Sequence, residues 1–286
     1  MKALVFGHNG QVATELRRQT QIDVQALGRD IADLTDPAGC AALIAATDAD
    51  VVINAAAYTA VDKAETDRDT ARVVNAVAPG VMAQAAAARG LPFIHISTDY
   101  VFDGAGTVPF TTDHPTGPLG VYGQTKLDGE QAVQAAGGVF AIFRTSWVVS
   151  AHGNNFVKTM LRLGAERDKL TIVADQIGGP TPAADIAALC VSAAQQLLTD
   201  PSKSGVYHIS GGDDVSWADF ARAIFNMSGV SCDVVDIPST DFPTPAKRPY
   251  NSRLNNTSTL QTFGMPRPVW ADGVADILKE LGGDQS

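Results

Sequence analysis

A tyrosine and a lysine four residues apart, Tyr122 and Lys126, are the pair in this 286-residue chain best suited to moving a proton. Pro118-Leu119 ends an irregular stretch rich in proline and glycine, and the residues from Leu127 to Val133 continue in a helix-like pattern. The spacing therefore predicts both side chains on one face of a helix, one turn apart, near its N-terminal end. An ammonium beside a phenol favours the phenolate, and the positive end of the helix dipole pushes the same way, so the tyrosine is expected to work as an acid or base near neutral pH. The same spacing also arises when a tyrosine packs against a lysine stem on an amphipathic helix. What separates the two readings is whether the rest of the chain supplies a cofactor site.

Such a site is written at the start of the chain. Lys2 to Phe6 is a short apolar run, the pattern of a buried parallel strand, and it stops at Gly7-His8-Asn9-Gly10-Gln11-Val12-Ala13 before helix-forming residues. Gly7 permits a tight strand-to-helix turn, Gly10 lets a pyrophosphate approach the backbone near Gln11 and Val12, and small Ala13 lets the helix pack closely on the strand. A second strand, Val24 to Leu27, ends at Gly28-Arg29, where dinucleotide-binding folds face the adenosine ribose; Arg29 favours a 2′-phosphate and hence NADPH, with NADH the alternative. Asp33 and Leu34 are expected on the adenine side. Asp50 to Ala57 is a third strand ended by Ala55, Ala56 and Ala57, small enough for a cofactor to lie against the backbone. Leu91 to Thr98 is the fourth, and Thr98, at the carboxyl end of a central strand, is a candidate hydroxyl donor. His95, between Ile94 and Ile96, reads as a core histidine. Val139 to Val149 is the next strand. The alternation predicts an α/β fold, a Rossmann-like doubly wound parallel sheet over residues 1–150.

Composition narrows the setting. A formal charge of −10 with no basic block argues against nucleic acid. The three cysteines, Cys40, Cys190 and Cys232, form no CxxC, which fits a reduced, cytoplasmic protein. The opening residues are too short for a signal peptide, and no apolar run of about 18 residues predicts a membrane span. After residue 150 the pattern loosens. Helices are expected from about 153 to Arg167, from Ala183 to Leu198, after Ser216, and from Trp270 to Leu281, with strands at Thr171–Val173 and Val206–Ser210. Ile177–Pro182 and the proline-rich Pro238–Asn251 are expected loops. In the latter, Arg248, with Arg253 just beyond it, offers a phosphate or sugar contact, or simply a surface arginine pair. Residues 151–286 thus predict a smaller α/β lobe, mainly for substrate, with segments returning to the first sheet.

These residues together resemble the extended, nucleotide-sugar branch of the short-chain dehydrogenase/reductase superfamily and, within it, the dTDP-4-dehydrorhamnose reductase family. The glycine loop and Tyr122-x-x-x-Lys126 belong to the whole superfamily. Asn54-Ala55-Ala56-Ala57-Tyr58-Thr59-Ala60-Val61-Asp62-Lys63-Ala64-Glu65, Ser97-Thr98-Asp99-Tyr100-Val101-Phe102 and Arg248-Pro249-Tyr250-Asn251-Ser252-Arg253-Leu254 carry the closer resemblance, and the similar stretches span nearly the whole chain in order. The resemblance implies reduction of the C4 keto group of a dTDP-4-dehydro-6-deoxy sugar, the last step of dTDP-L-rhamnose synthesis. By it, Tyr122 gives the proton, Lys126 lowers the tyrosine pKa and binds the nicotinamide ribose, and Thr98 polarises the carbonyl. It implies Ala57, Tyr58 and Thr59 near the cofactor's ribose and nicotinamide. Val61, Asp99, Tyr100 and Trp147 are implied to line the sugar; Asn155, Arg248 and Arg253 are further candidates at the substrate. A different nucleotide-sugar reductase or epimerase, or a silent NADP-binding regulatory subunit, shares the same frame, but intact Thr98, Tyr122 and Lys126 speak against silence.

Some relatives form dimers around magnesium held by acidic residues, so the resemblance makes Mg2+ possible. Glu15 is present, but Ala183-Ala184-Asp185 is poorer in acids than the stretch expected to pair with it, which weakens the case for that metal and that dimer. Monomer and homodimer both remain open.

Overall fold

The computed structural model describes residues 1–283. Six strands build one all-parallel sheet: β1 (Lys2–Phe6), β2 (Asp23–Leu27), β3 (Val51–Asn54), β4 (Phe93–Thr98), β5 (Phe140–Thr145) and, from late in the chain, β10 (Gly205–Ile209), in the spatial order β2-β1-β3-β4-β5-β10. The order reverses between β1 and β3, so the crevice over their carboxyl ends is where such a sheet takes a ligand. The inner strands are largely buried and accordingly read as apolar runs, whereas the edge strand β2 alternates, with Asp23 and Gln25 exposed. On one face lie α1 (Gln11–Arg17) and α8 (Ala183–Thr199), joined by α10 (Thr257–Phe263). On the other lie α2 (Pro37–Ala46), α5 (Ala78–Ala88) and α6 (Val121–Ala135). Gly7 ends β1 at φ +116°, a conformation only glycine adopts without strain, and turns the chain into α1.

Between β3 and β4 the chain passes α3 (Val61–Ala64) and a short turn, then runs without a break through α4 (Arg68–Arg72), one wide π turn (Val73–Val77) and α5. Pro79 explains the wide turn. It has no N–H to give the carbonyl of Asn75 four residues back, and its ring crowds that carbonyl. The displaced Asn75 oxygen points at α6, where a Cβ on Gly129 would stand 2.0 Å away. Glycine at 129 is therefore what lets α6 lie against the π turn.

A third core joins α7 (Phe156–Glu166), α9 (Trp217–Ser228) and α11 (Trp270–Gly283). Around it are the short strands β6 (Val148–Val149), β7 (Lys169–Val173), β8 (Ile177–Gly178), β9 (Thr181–Pro182), β11 (Val215–Ser216), β12 (Asp233–Ile237) and β13 (Asn251–Ser252). β7 pairs with β12, β6 with β9, and β8 sits between β11 and β13.

Two expectations need correction here. The single strand expected over Val139–Val149 is broken: β5 stops at Thr145, Trp147 takes a left-handed φ of 48°, and β6 leaves in a new direction to join β9. Ile177–Pro182 is not a plain loop but holds β8 and β9, two-residue strands too short to show a period.

Candidate active site

One cavity of about 1040 Å³ lies over the carboxyl ends of the strands, at the upper end of the range of about 300–1,000 Å³ for small-molecule sites. At its β1 end it is lined by Gly7, Gly10, Gln11 and Val12, and beyond β2 by Arg29, Asp33 and Leu34. No side chain caps the N-terminus of α1, so the amides of its first turn stay free at this end. Gln11 is fixed from behind: its side-chain oxygen accepts from Ser150 Oγ at 3.1 Å and from Asn155 Nδ2 at 3.0 Å, and its Nε2 donates to the Val148 carbonyl at 3.2 Å. Arg29 is largely exposed and its Nε donates to Asp33 Oδ2 at 3.2 Å.

The middle of the cavity is lined by Ala55, Ala56, Ala57, Tyr58, Thr59 and Val61 on one side, and by Thr98, Tyr122 and Lys126 on the other. Asn75, on the π turn, clamps the Tyr58 backbone: Tyr58 N donates to its Oδ1 at 2.8 Å, and its Nδ2 donates to the Tyr58 carbonyl at 3.1 Å. The same Nδ2 reaches Thr125 Oγ1, which in turn donates to the Tyr122 carbonyl, so one side chain ties both walls together. Asn75 belongs to no motif; only Pro79, which frees the carbonyl four residues back, marks its position in the sequence. Glu65, passed over in the sequence, accepts from Val121 N at 2.8 Å and so places a carboxylate on the N-terminus of α6.

The electrostatics of the Tyr122/Lys126 pair differ from the expectation. Both do lie on one face of α6, but no hydrogen bond joins them. Lys126 is fully buried, and its Nζ bonds His95 Nε2 at 3.1 Å and the Ile96 carbonyl at 2.7 Å. Burial pushes Lys126 down to about 8, against the upward pull of Glu130. Burial pushes Tyr122 up to about 12; the Thr98 hydroxyl opposes this and the Asp99 carboxylate adds to it. Without ligands the tyrosine is thus a protonated acid, not a phenol on the edge of ionising. His95 is a core histidine as expected, with Nδ1 3.2 Å from Asn54 Nδ2, and its contact with Lys126 is new.

At the far end Tyr100, Asp99 and Trp147 line the cavity. Tyr100 meets Tyr122 edge-on with ring centroids 5.6 Å apart. Burial raises Asp99 to about 6, with Ser252 and Thr98 pulling the other way, and its Oδ2 is buried without a hydrogen bond of normal geometry. Trp147 stacks on Trp217 at 3.5 Å and 12°. Trp217 also lines the cavity and was not foreseen, because the first residue of a distant helix carries no signal of what it will face.

Three expected substrate contacts stand elsewhere. Asn155 caps α7 by accepting from Lys158 N and spends its amide on Gln11 and the Ser150 carbonyl. Arg248 pairs with Asp62 at 2.7 Å, beside the cavity wall but not lining it. Arg253 bonds the Asn251 side chain and lies 3.9 Å from Asp214, which also holds Arg267. Glu15 faces Arg18 at 3.7 Å and the His152 ring at 3.4 Å, while Arg18 also bonds Glu280 at 2.6 Å. Asp185 feels Asp272 and Asp276 instead. These surroundings do not fit a metal ion at Glu15, and among the described residues no group of three or more acidic, histidine or cysteine side chains does.

The family model described as RmlD substrate binding domain matches residues 1–282. The chain belongs to this family. It is 44% identical to a dTDP-4-dehydrorhamnose reductase of Sinorhizobium fredii, with 98% of each chain covered. Among solved structures, a dTDP-4-dehydrorhamnose reductase from Clostridium acetobutylicum superposes with a TM-score of 0.92 at 36% identity, covering 99% of this chain and 100% of that one. One from Bacillus anthracis, in complex with NADP, gives 0.90 at 33%, covering 98% and 99%. The RmlD-type chain has the features a dinucleotide needs at the β1 end of the cavity: a glycine turn, uncapped helix amides and an arginine held only by an exposed ion pair, of the kind worth about 0.2–1 kcal/mol.

Proposed function

We propose that this protein is an NADPH-dependent oxidoreductase that reduces the C4 keto group of dTDP-4-dehydro-L-rhamnose to give dTDP-L-rhamnose. The observation that carries the reading is the single cavity that joins the glycine turn to the Trp147–Trp217 stack with Thr98, Tyr122 and Lys126 midway. Full-length similarity to reductases of that name supports the substrate. No helix among the described residues is long and apolar enough to cross a membrane, and the three cysteines are free, which supports a reducing, cytoplasmic setting.

Bound NADPH supplies the hydride. Tyr122, kept protonated by its burial, gives its phenol proton to the carbonyl oxygen as that oxygen becomes an alcohol. Thr98, at the end of β4, donates a hydrogen bond to the same oxygen and stabilises the charge that gathers there. Lys126, as an ammonium one helical turn away, stabilises the phenolate that the transfer leaves behind. The buried, unpartnered Asp99 Oδ2 is positioned to accept from a sugar hydroxyl, and the two stacked indoles give the sugar nucleotide a flat apolar wall.

The test is Tyr122→Phe, assayed by NADPH consumption with the keto sugar made in a coupled reaction, alongside NADH and EDTA controls. Turnover is expected to fall by about 10²–10⁴-fold while NADPH binding stays near wild type. Equal loss of binding and turnover would sink the acid role, and a wild-type product of different stereochemistry would reassign the substrate.

A further inference from the structure

The polar contacts around His95 do not close with every group in its ordinary form. Asn54 Oδ1 accepts from Ala56 N at 3.2 Å, which turns the amide Nδ2 toward His95 Nδ1, 3.2 Å away. Nδ1 must then accept, so a neutral ring carries its proton on Nε2. That proton points at Lys126 Nζ, 3.1 Å away, and an ammonium has three donors and no acceptor. A doubly protonated ring is no escape, because burial and the lysine hold His95 far below its ordinary value.

We propose that His95 is a positioning residue of the reaction, whose two tautomers, selected through the Asn54 amide, decide whether Lys126 stands as an amine or as an ammonium. In one arrangement Nε2–H donates to a neutral Lys126 amine, which still donates to the Ile96 carbonyl. In the other, Nε2 accepts from the Lys126 ammonium, Nδ1–H donates to a rotated Asn54 amide oxygen, and Ala56 N loses its partner. Ala56 lies on the segment lining the cavity, so charging the lysine frees a backbone donor on the cofactor's side of the site. The other titratable groups around Lys126 do not replace this control. Glu130, one turn along α6, is held by Arg144 of β5; Tyr122, one turn back, stays protonated; Asp99 lies buried at the end of β4. Tyr58 bonds Asp67, which pairs with Lys63, on the cavity's opposite wall.

The decisive experiment is nitrogen-15 NMR of the histidine rings in the unaltered protein with NADP⁺ bound, with the His95 signals assigned by their loss in His95→Gln. As pH falls through about 8, where Lys126 gains its proton, the His95 proton is expected to move from Nε2 to Nδ1. One tautomer throughout the range of about pH 6 to 10 would overturn the proposal. The kinetic arm rests on the reductase reading; the NMR arm needs no turnover, so the two can fail separately. In His95→Gln the amide oxygen can accept from the ammonium permanently, so the alkaline fall of kcat should move up by about one pH unit with KM for NADPH within about twofold. In His95→Leu the ammonium loses its partner, and the same limb should move down. Thermal melts check that each variant is folded, and if His95→Leu is not, His95→Gln and the tautomer signal decide. A uniform drop of kcat at every pH in the folded variants would mark His95 as merely structural and overturn the proposal.

Discussion

Two buried polar clusters sit side by side between β4 and α6, and they are built on opposite plans. His95 and Ser97 point from β4 toward the helix, and Lys126 and Glu130 point back from α6. The match is geometric: two residues along a strand rise about 6.6 Å and four along a helix about 6 Å, so the pairs stay in step. The Glu130 cluster is closed. Arg144 Nε bonds both its carboxylate oxygens at 3.0 and 3.1 Å, Nη2 adds a bond of 2.7 Å, Ser97 donates to the same carboxylate, and the guanidinium lies 5.0 Å from the Phe102 ring centroid. The Lys126 cluster is open. It has no carboxylate partner in contact, only a ring nitrogen and a carbonyl, and its remaining face lines the cavity. A buried charge satisfied on all sides holds structure, whereas one left partly unsatisfied can respond to a ligand.

The largest effect should come from breaking the closed cluster. Arg144→Met strands the Glu130 carboxylate and is expected to cost about 3–5 kcal/mol in urea unfolding, most of it recovered by adding Glu130→Leu. Lys126→Met should do the reverse at the open cluster: turnover falls by about 10²-fold, yet stability is unchanged or rises, because an incompletely compensated ammonium leaves the core. A Lys126→Met protein as unstable as Arg144→Met would erase the distinction. Titration sharpens it further. The folded chain releases the Lys126 proton near 8 and the unfolded chain near 10.5, so the unfolded state binds more protons in between and stability gains as pH rises through that window. Above pH 10 the raised Tyr122 and Tyr100 oppose the gain, since their phenols ionise first in the unfolded chain. Cys40, Cys190 and Cys232, whose thiols burial raises, lower the stability of both proteins as pH rises past 9, so the Lys126 gain is expected as the difference between the wild-type and Lys126→Met unfolding curves from about pH 8 to 10. The smallest effect is expected at the exposed Arg29: Arg29→Ala should raise KM for NADPH a few-fold, about 1 kcal/mol or less, with KM for NADH nearly unchanged.

The parallel sheet was legible because its inner strands are buried on both faces and α1 and α6 begin at glycine turns, both of which leave marks in the residue order. The cofactor side of the cavity followed from those turns. Side-chain partners did not follow. Arg248 is neutralised by Asp62, 186 positions away, and Arg253 lies against Asp214; no spacing in the chain announces either meeting. Asn155 looked like a ligand residue and serves as a helix cap and a prop for Gln11. Tyr122 and Lys126 did share a face, as a helical step demands, but the step says nothing of the neighbouring strand, and it is the strand's His95 that receives the amine.

The wide turn at Val73–Val77 has a consequence for how this chain could vary. A π turn amounts to one residue inserted into an α-helix. Deleting a residue there would shift the helix by one position, and Pro79 would still deny an N–H to the carbonyl four residues back. Every preceding side chain would swing by about 100°, carrying Asn75 away from Tyr58 and breaking the clamp between the cavity walls. Length at this point is therefore constrained more tightly than residue identity. A helix that tolerates many substitutions on its outer face would tolerate no change of register.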